Sequence, residues 1–304
     1  MAAENGKACL NFKGKFWSSY MTCWVKPVKL CISTLRAEIG SLHSRPAVIW
    51  HDAMLVNENC GKRIPFTSEC LQLTRLTAVR TNRIILVPYC KHHVEQYHDW
   101  MQDADLQAAT ASEPLTLQAE YEMQQSWRQD ADKLTFISCL PRQHDRCAEQ
   151  ETDEVSFGDV NLFVTIVEDD SEKFFLTGEL ELMVAEKQYQ RLGLGRASLL
   201  VFVKYVLQHQ SDILKEYFST PRGIKMQAGL DYFQVKIGET NEKSLRLFES
   251  IGFQKTKSSP NFFGEWELRG HLTMNDIEAK MQQGGIEWYE EVPYPLQERA
   301  TNMS

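Results

Sequence analysis

A strand, a glycine-bearing turn and a long apolar helix follow one another between residues 174 and 208. This run constrains the fold more than any other stretch. In 174–185 (FFLTGELELMVA), Leu180, Leu182 and Val184 fall on one side and Glu179, Glu181 and Met183 on the other. That is the period of two that a strand imposes. The preceding stretch, 157–167 (FGDVNLFVTIV), alternates in the same way: Val160, Leu162, Val164 and Ile166 oppose Asp159, Asn161, Phe163 and Thr165. Asp169, Asp170 and Ser171 read as the hairpin turn between them. QRLGLGRAS follows, from Gln190 to Ser198, and then a helix to about Gln208 with Leu199, Phe202, Val203 and Val206 as its apolar stripe. Hairpins mixed with a helical crossover imply a mixed sheet covered by helices, an α/β (α+β) chain.

The flanking sequence extends this pattern. Residues 83–89 (RIILVPY) and Lys133–Cys139 read as strands. Helices are predicted at His92–Met101 and at 117–129, the second capped by Thr116. Residues 140–155 read as a loop, and 209–229, with Pro221 and Gly223, as an inserted loop or short helix. A strand at 231–237 precedes a helix at 242–251, with Gly252 in the left-handed position after its end. Two closing strands near 253–257 and 262–269, a helix at 274–283 and an irregular tail complete the order β-α-α-β-β-β-α-β-α-β-β.

Charge divides the chain. Ten basic residues meet five acidic ones up to Arg75, whereas 23 meet 36 beyond it, for a formal net charge of -8. An acidic body argues against a nucleic-acid partner, since phosphate binding needs a basic surface. Five of the eight cysteines (Cys9, Cys23, Cys31, Cys60 and Cys70) lie in the basic quarter. No C-x2-C pair occurs, so the spacing of a zinc module is missing and no metal is expected. Free thiols fit a reducing, cytoplasmic setting. Lys26, Pro27 and Lys29 interrupt the apolar residues of 16–35, which leaves neither a membrane span nor a secretory core. The same basic segment keeps a mitochondrial presequence open, although it lacks an amphipathic Arg/Ser helix.

The chemistry centres on Gly193-Leu194-Gly195, between a strand and a helix. Glycines let a backbone approach a phosphate closely, and the N–H groups of a helix start bind that anion. The segment lacks the GK[ST] ending of a P-loop and is not G-x-G-x-x-G. A glycine turn into a helix also serves purely structural ends. Arg196 would add charge to such a pocket or stand solvated in the first turn.

Gln190-x-x-Gly193-x-Gly195 resembles the Q/R-x-x-G-x-G/A signature of the GCN5-related N-acetyltransferases (GNAT). Asn241-x-x-Ser244 with Phe248 and Gly252-Phe253 resembles that family's N-x-x-S-x-x-x-[YF]-x-x-x-G-F helix, and GELELMV resembles its fourth strand. RIILVPY, TASEPLTLQAEYEMQQSW and GDVNLF look like the N-acetyltransferase 9-like (alpha/beta-tubulin N-acetyltransferase) branch, related to RimJ/RimL enzymes. The likeness covers about residues 80–270. Arg191 and Leu192 stand where relatives usually carry Gly and then Gly or Lys, the 209–229 insertion looks longer than the family's link, and residues 1–75 match nothing in the branch.

The resemblance implies a GNAT fold, a mixed and mostly antiparallel central sheet flanked by helices, over 79–270. A basic, cysteine-rich and poorly ordered extension (1–78) precedes it, and a helix and irregular tail (271–304) follow. It implies acetyl-CoA, its pyrophosphate held by Gln190, Arg191, Leu192, Gly193, Leu194, Gly195 and Arg196. Backbone N–H groups of Met183 or Val184, at a bulge, would polarise the thioester. Asn241 would bond the pantetheine while also capping its helix. The acceptor would be a protein or peptide amine, with tubulin N-termini the family's proposed target.

The acceptor's own chemistry limits what a base must do. An α-amine with a pKa of about 7.7–8.0 needs modest base assistance, whereas a lysine at about 10.4 needs far more. Glu181 matches the family's acidic position, with Glu179 beside it on the same strand face; both are also readable as solvent-facing carboxylates. Phe248 stands where many relatives carry a general-acid Tyr. Ser244 resembles the serine proposed in RimL-like enzymes, or is simply a residue of the helix start. His92 and His93 are expected at the surface. The acidic runs at 149–154 and 167–172 favour a basic residue near the acceptor, or are solvated loops. Two other readings remain: a CoA- or partner-binding module that has lost catalysis, motivated by Phe248, and a small-molecule amine acetyltransferase.

Overall fold

The computed structural model describes residues 55–56, 63–64, 76–141, 155–168, 171–219 and 229–294. Most of the 1–78 extension lies outside them, as do the acidic run 149–154, Asp169–Asp170, 220–228 and everything past Tyr294. The chain separates into two units, Met1–Ala53 and Met54–Ser304, and all described residues belong to the second. Within it, β1 (Leu55–Val56) and β2 (Arg63–Ile64) form a short antiparallel ladder.

The main sheet has nine strands: β3 (Thr77–Thr81), β4 (Ile85–Pro88), β5 (Lys133–Cys139), β6 (Ser156–Glu168), β7 (Phe174–Val184), β8 (Tyr232–Gly238), β9 (Gln254–Lys255), β10 (Glu265–Gly270) and β11 (Tyr289–Pro293). Their order across the sheet is β11-β3-β4-β5-β6-β7-β8-β10-β9. Every neighbouring pair is antiparallel except β7 and β8. That mixed, mostly antiparallel sheet is the expected architecture. The helices are α1 (Val94–Trp100), α2 (Ala104–Thr110), α3 (Leu117–Gln129), α4 (Leu194–Ser219), α5 (Glu242–Ile251) and α6 (Met274–Gln283).

The alternation of β6 and β7 sorts the two faces of the sheet. Val160, Leu162, Val164 and Leu180 go to the face covered by α4, where they are at most 1% exposed and join Leu199, Phe202 and Val203 in one apolar core. Phe136 of β5 stands edge-on to Phe202 and Tyr205, at 5.8 and 5.2 Å between centroids. Each such fully buried side chain stabilises the fold by roughly 1.5–3 kcal/mol. The opposite face, carrying Lys133, Asp159, Asn161 and Glu181, lies under α1 and α3, which contribute the buried Tyr97 and Trp127.

Four elements differ from expectation. The helix begun at Leu194 does not stop near Gln208 but runs to Ser219, because Ile213, Leu214 and Tyr217 continue the buried stripe of Val206. The expected insertion therefore begins as α4. A further short helix, α2, is capped by Asp103, whose Oδ1 accepts from the Asp105 and Leu106 N–H groups. β3 begins at Thr77, inside the segment expected as extension. The tail expected to be irregular contains β11, which pairs with β3 from Tyr289↔Thr81 to Pro293↔Thr77. The short and polar YEEVP gives almost no apolar alternation; its place is set by cross-strand pairing, including Arg80 with Glu290 at 3.9 Å. Among the described residues, no helix is long and apolar enough to cross a membrane.

Candidate active site

The parallel pair at the centre opens the site. β7 and β8 pair only over Thr177–Glu179 and Tyr232–Gln234. Beyond that point the strands splay, so residues 180–184 of β7 have no ladder to β8. β7 feeds α4 and β8 feeds α5, so two helix starts follow the two diverging strand ends. Carboxyl ends of parallel strands that lead into helix N-termini form a natural anion-binding crevice.

The loop between β7 and α4 is held open by its backbone. Gln190 Nε2 donates to the Val184 carbonyl at 2.9 Å. Arg191 (φ 63°) and Gly193 (φ 77°) both take left-handed conformations. Gly193 adopts this freely, whereas Arg191 does so at a cost that only a fixed loop sustains. At Gly195 a Cβ would lie 3.1 Å from Val184 Cγ2 and 3.4 Å from Leu182 Cδ2, so a side chain there would press on β7 and the glycine lets the helix sit close to it. Left-handed turns before a helix whose first N–H groups lack intrahelical partners suit a phosphate, and the residues expected to hold the pyrophosphate fit it. Arg196 points elsewhere: its Nη1 donates to Ser250 Oγ on α5.

The polar face of β7 separates the two candidate bases. Glu179 is tied down, receiving Gln234 Nε2 at 2.8 Å and Lys236 Nζ at 2.8 Å. Among the described residues no hydrogen bond engages the Glu181 carboxylate, which faces Lys133, Asp159 and Glu179. Burial pushes the Glu181 carboxyl up to about 7; Lys133 opposes this, and Glu179 and Asp159 add to it. Lys133, on β5, is itself pushed down to about 7 by burial, with Glu181 the foremost acid holding it up. Its ammonium lies 2.8 Å from the Trp127 ring centroid and 4.2 Å from that of Phe163.

Asp159 completes the cluster. Its Oδ2 accepts from Asn161 Nδ2 at 2.9 Å and from Tyr97 Oη at 3.3 Å. Thr135 Oγ1 donates to Asn161 Oδ1 at 2.6 Å. Burial raises the Asp159 carboxyl to about 6. Residues from β5, β6, β7 and α1 thus converge on one polar face.

The remaining expected residues divide. Asn241 caps α5, its Oδ1 accepting the Ser244 N–H at 3.2 Å, and both side chains are half-buried. Phe248 is core, edge-on to Phe253 at 5.2 Å. The expected bulge at Met183 or Val184 is absent: pairing with β6 runs unbroken through Asp159↔Met183 and Gly158↔Val184. The irregularity sits instead between Ser138 and Cys139 on β5. His93 is buried, unlike the exposed His92, because its Nδ1 accepts the Cys90 N–H at 3.0 Å. Cys90, His92 and His93 bring ligand atoms within 4.8 Å of one another. Those atoms are in use: His92 Nε2 meets Tyr294 Oη at 3.2 Å, and Arg128 Nη1 lies 3.5 Å from Cys90 Sγ.

Sequence reasoning missed Lys133, Asp159, Asn161 and Tyr97 as members of this cluster. The sequence does carry a signal for the β6 pair: Asp159 and Asn161 lie on the polar side of their strand, as Glu179 and Glu181 do on theirs.

A GNAT acetyltransferase domain model matches residues 83–254. The alpha/beta-tubulin-N-acetyltransferase 9 of Mus musculus is 37% identical over 224 residues, spanning 74% of this chain and 82% of that protein. The protein of the same name from Homo sapiens is 36% identical over 225 residues, 74% of this chain and 96% of that one. The Drosophila melanogaster protein is 39% identical over 213 residues, covering 70% and 96%.

Proposed function

The chain belongs to the GNAT acetyltransferase family, in its N-acetyltransferase 9-like branch, and from that premise we propose that it acetylates the free α-amine of a protein or peptide. The observation that carries this reading is Glu181: a carboxylate without a hydrogen-bond partner among the described residues, on the strand that leads to the phosphate-type loop, with its proton affinity raised to about 7. A general base works best with a pKa near the working pH. An α-amine loses its proton at about 7.7–8.0, close enough for Glu181 to take it directly or through one water.

When bound, acetyl-CoA supplies the acetyl thioester and a thiolate leaving group. The chain's own residues do the rest. Arg191, Leu192, Gly193, Leu194 and Gly195 hold the pyrophosphate with backbone N–H groups, Gln190 braces the loop through the Val184 carbonyl, and Asn241 bonds the pantetheine. Arg196, drawn to Ser250, stays at the rim of the loop. The edge of β7 at Val184, free of β8, turns a backbone N–H toward the thioester oxygen, whereas the Met183 N–H faces β6. Lys133 favours the ionised form of Glu181, and Glu179 keeps Lys236 and Gln234 in place. Phe248 has no proton to give, so the Ser244 hydroxyl donates a hydrogen bond to the departing thiolate, which takes its proton from water.

Peptides with free α-amines, the same peptides N-blocked but carrying lysine, and a polyamine would be incubated with acetyl-CoA and read by mass spectrometry. The names of the relatives put α- and β-tubulin N-terminal peptides first in that panel. Acetyl on the α-amine alone supports the proposal. Acetyl only on blocked peptides or on the polyamine overturns it, and CoA binding with no product on any of them favours a binding module.

A further inference from the structure

The Thr81–Ile84 turn between β3 and β4 reaches across the fold to the phosphate-type loop. Thr81 is fully buried and builds a rigid corner: its Oγ1 donates to the Ile84 carbonyl at 2.7 Å and accepts from the Arg83 and Ile84 N–H groups at 3.1 and 3.0 Å. From that corner Arg83 Nη2 donates to the Leu192 carbonyl at 3.1 Å, and Nη1 to the Gly284 carbonyl at 3.4 Å. Asn82 holds the same α6–β11 turn, donating to the Gly285 carbonyl at 2.8 Å and accepting the Glu287 N–H at 2.9 Å. The Arg83 guanidinium also lies 3.4 Å from where a Cβ of Gly193 would stand.

We propose that Arg83 is a positioning residue for the pyrophosphate loop, coupling that loop to the turn between α6 and β11. The chemistry is direct. The Leu192 carbonyl and the Gly193 N–H share one planar trans peptide and point opposite ways. Fixing the carbonyl therefore fixes the direction of an N–H in the anion cradle. A guanidinium bond to a carbonyl is charge-assisted and geometrically defined, which suits it to hold Arg191 and Gly193 in left-handed conformations. The positive charge beside the loop also favours a pyrophosphate there. The C-terminal segment thereby becomes part of the cofactor apparatus, because Gly284 holds the guanidinium from its other side.

This rests on the reading that residues 190–195 take the pyrophosphate, and the test separates the two. The full chain would be titrated with CoA in a calorimeter as wild type, Arg83→Ala, Arg83→Lys and Asn82→Ala, with thermal unfolding recorded for each. Arg83→Ala is expected to weaken CoA about tenfold, Arg83→Lys to recover part of that, and Asn82→Ala to weaken it about threefold. In turnover the KM for acetyl-CoA rises with Arg83→Ala while the KM for peptide stays. With S-acetyl-pantetheine, which lacks the pyrophosphate, the variant-to-wild-type ratio stays near one. Unchanged CoA affinity in a folded Arg83→Ala overturns the proposal, as does an equal loss with S-acetyl-pantetheine. Failure of the wild type to bind CoA would instead overturn the loop reading itself.

Discussion

One face of β7 carries Leu180, Leu182 and Val184 into the apolar core under α4, and the other presents Glu179 and Glu181 toward Lys133, Asp159 and Lys236. Both faces obey the same period of two, yet burial acts on them in opposite directions. On the first it removes apolar surface from water and stabilises the fold. On the second it desolvates charges, and the cost emerges as a carboxyl and an ammonium that both titrate near 7. The energy that one face contributes allows the other to hold groups ready to exchange protons at neutral pH. Within the polar face a second contrast holds: Glu179 is bonded on two sides, Glu181 on none among the described residues.

Substitutions can break this contrast, from the largest effect down. Phe202→Ala, on the apolar side, should cost about 3–5 kcal/mol in denaturant unfolding. A loss below about 1 kcal/mol would mean that α4 does not anchor the sheet.

Glu181→Gln should lower kcat by about 10²–10³-fold at pH 7, with the acetyl-CoA KM unmoved. Its effect on stability has the opposite sign. The folded carboxyl lies near 7, above its ordinary value of 4.5, so between those limits the folded state binds the proton more readily. Stability is then lost as pH rises toward 7, and the variant should gain on the order of 1–3 kcal/mol at pH 8 and nothing near pH 4.

Lys133→Met tests whether the cation tunes the base. Wild-type kcat/KM should fall below pH about 7 as Glu181 protonates. Without the ammonium the carboxylate is less favoured, so that acid limb should move up by about one pH unit. An unshifted limb would leave Lys133 only a packing role against Trp127. Glu179→Gln should do least, changing kcat about twofold to fivefold through loosened Lys236 and Gln234.

Much of this was legible in the residues. Alternation found β6 and β7, and the hairpin register follows from them, since paired residues such as Gly158 and Val184 lie equally far from Ser171. Gly193, Gly195, Asn241 and Gly252 marked the helix ends where the structure has them. What escaped depends on contacts between distant segments. In the sequence Lys133 is only the first residue of a strand; its place in the cluster needs Trp127 of α3, whose ring lies over its ammonium. Glu179 and Glu181 are equivalent by spacing, and only β8, some fifty residues later, tells them apart by supplying Gln234 and Lys236. β11 escaped because an edge strand needs little apolar character, and half of its identity lies in β3.

That last pairing has a temporal side. Among the described strands of the main sheet β3 is made first and β11 last, yet they are neighbours. During synthesis β3 has β4 as its single strand neighbour until more than two hundred further residues have emerged. For that interval it offers an unpaired edge on which another chain could pair, until β11 covers it and takes the edge position itself. The guanidinium of Arg83 waits as long for the Gly284 carbonyl, so that contact and the covering of β3 form almost together.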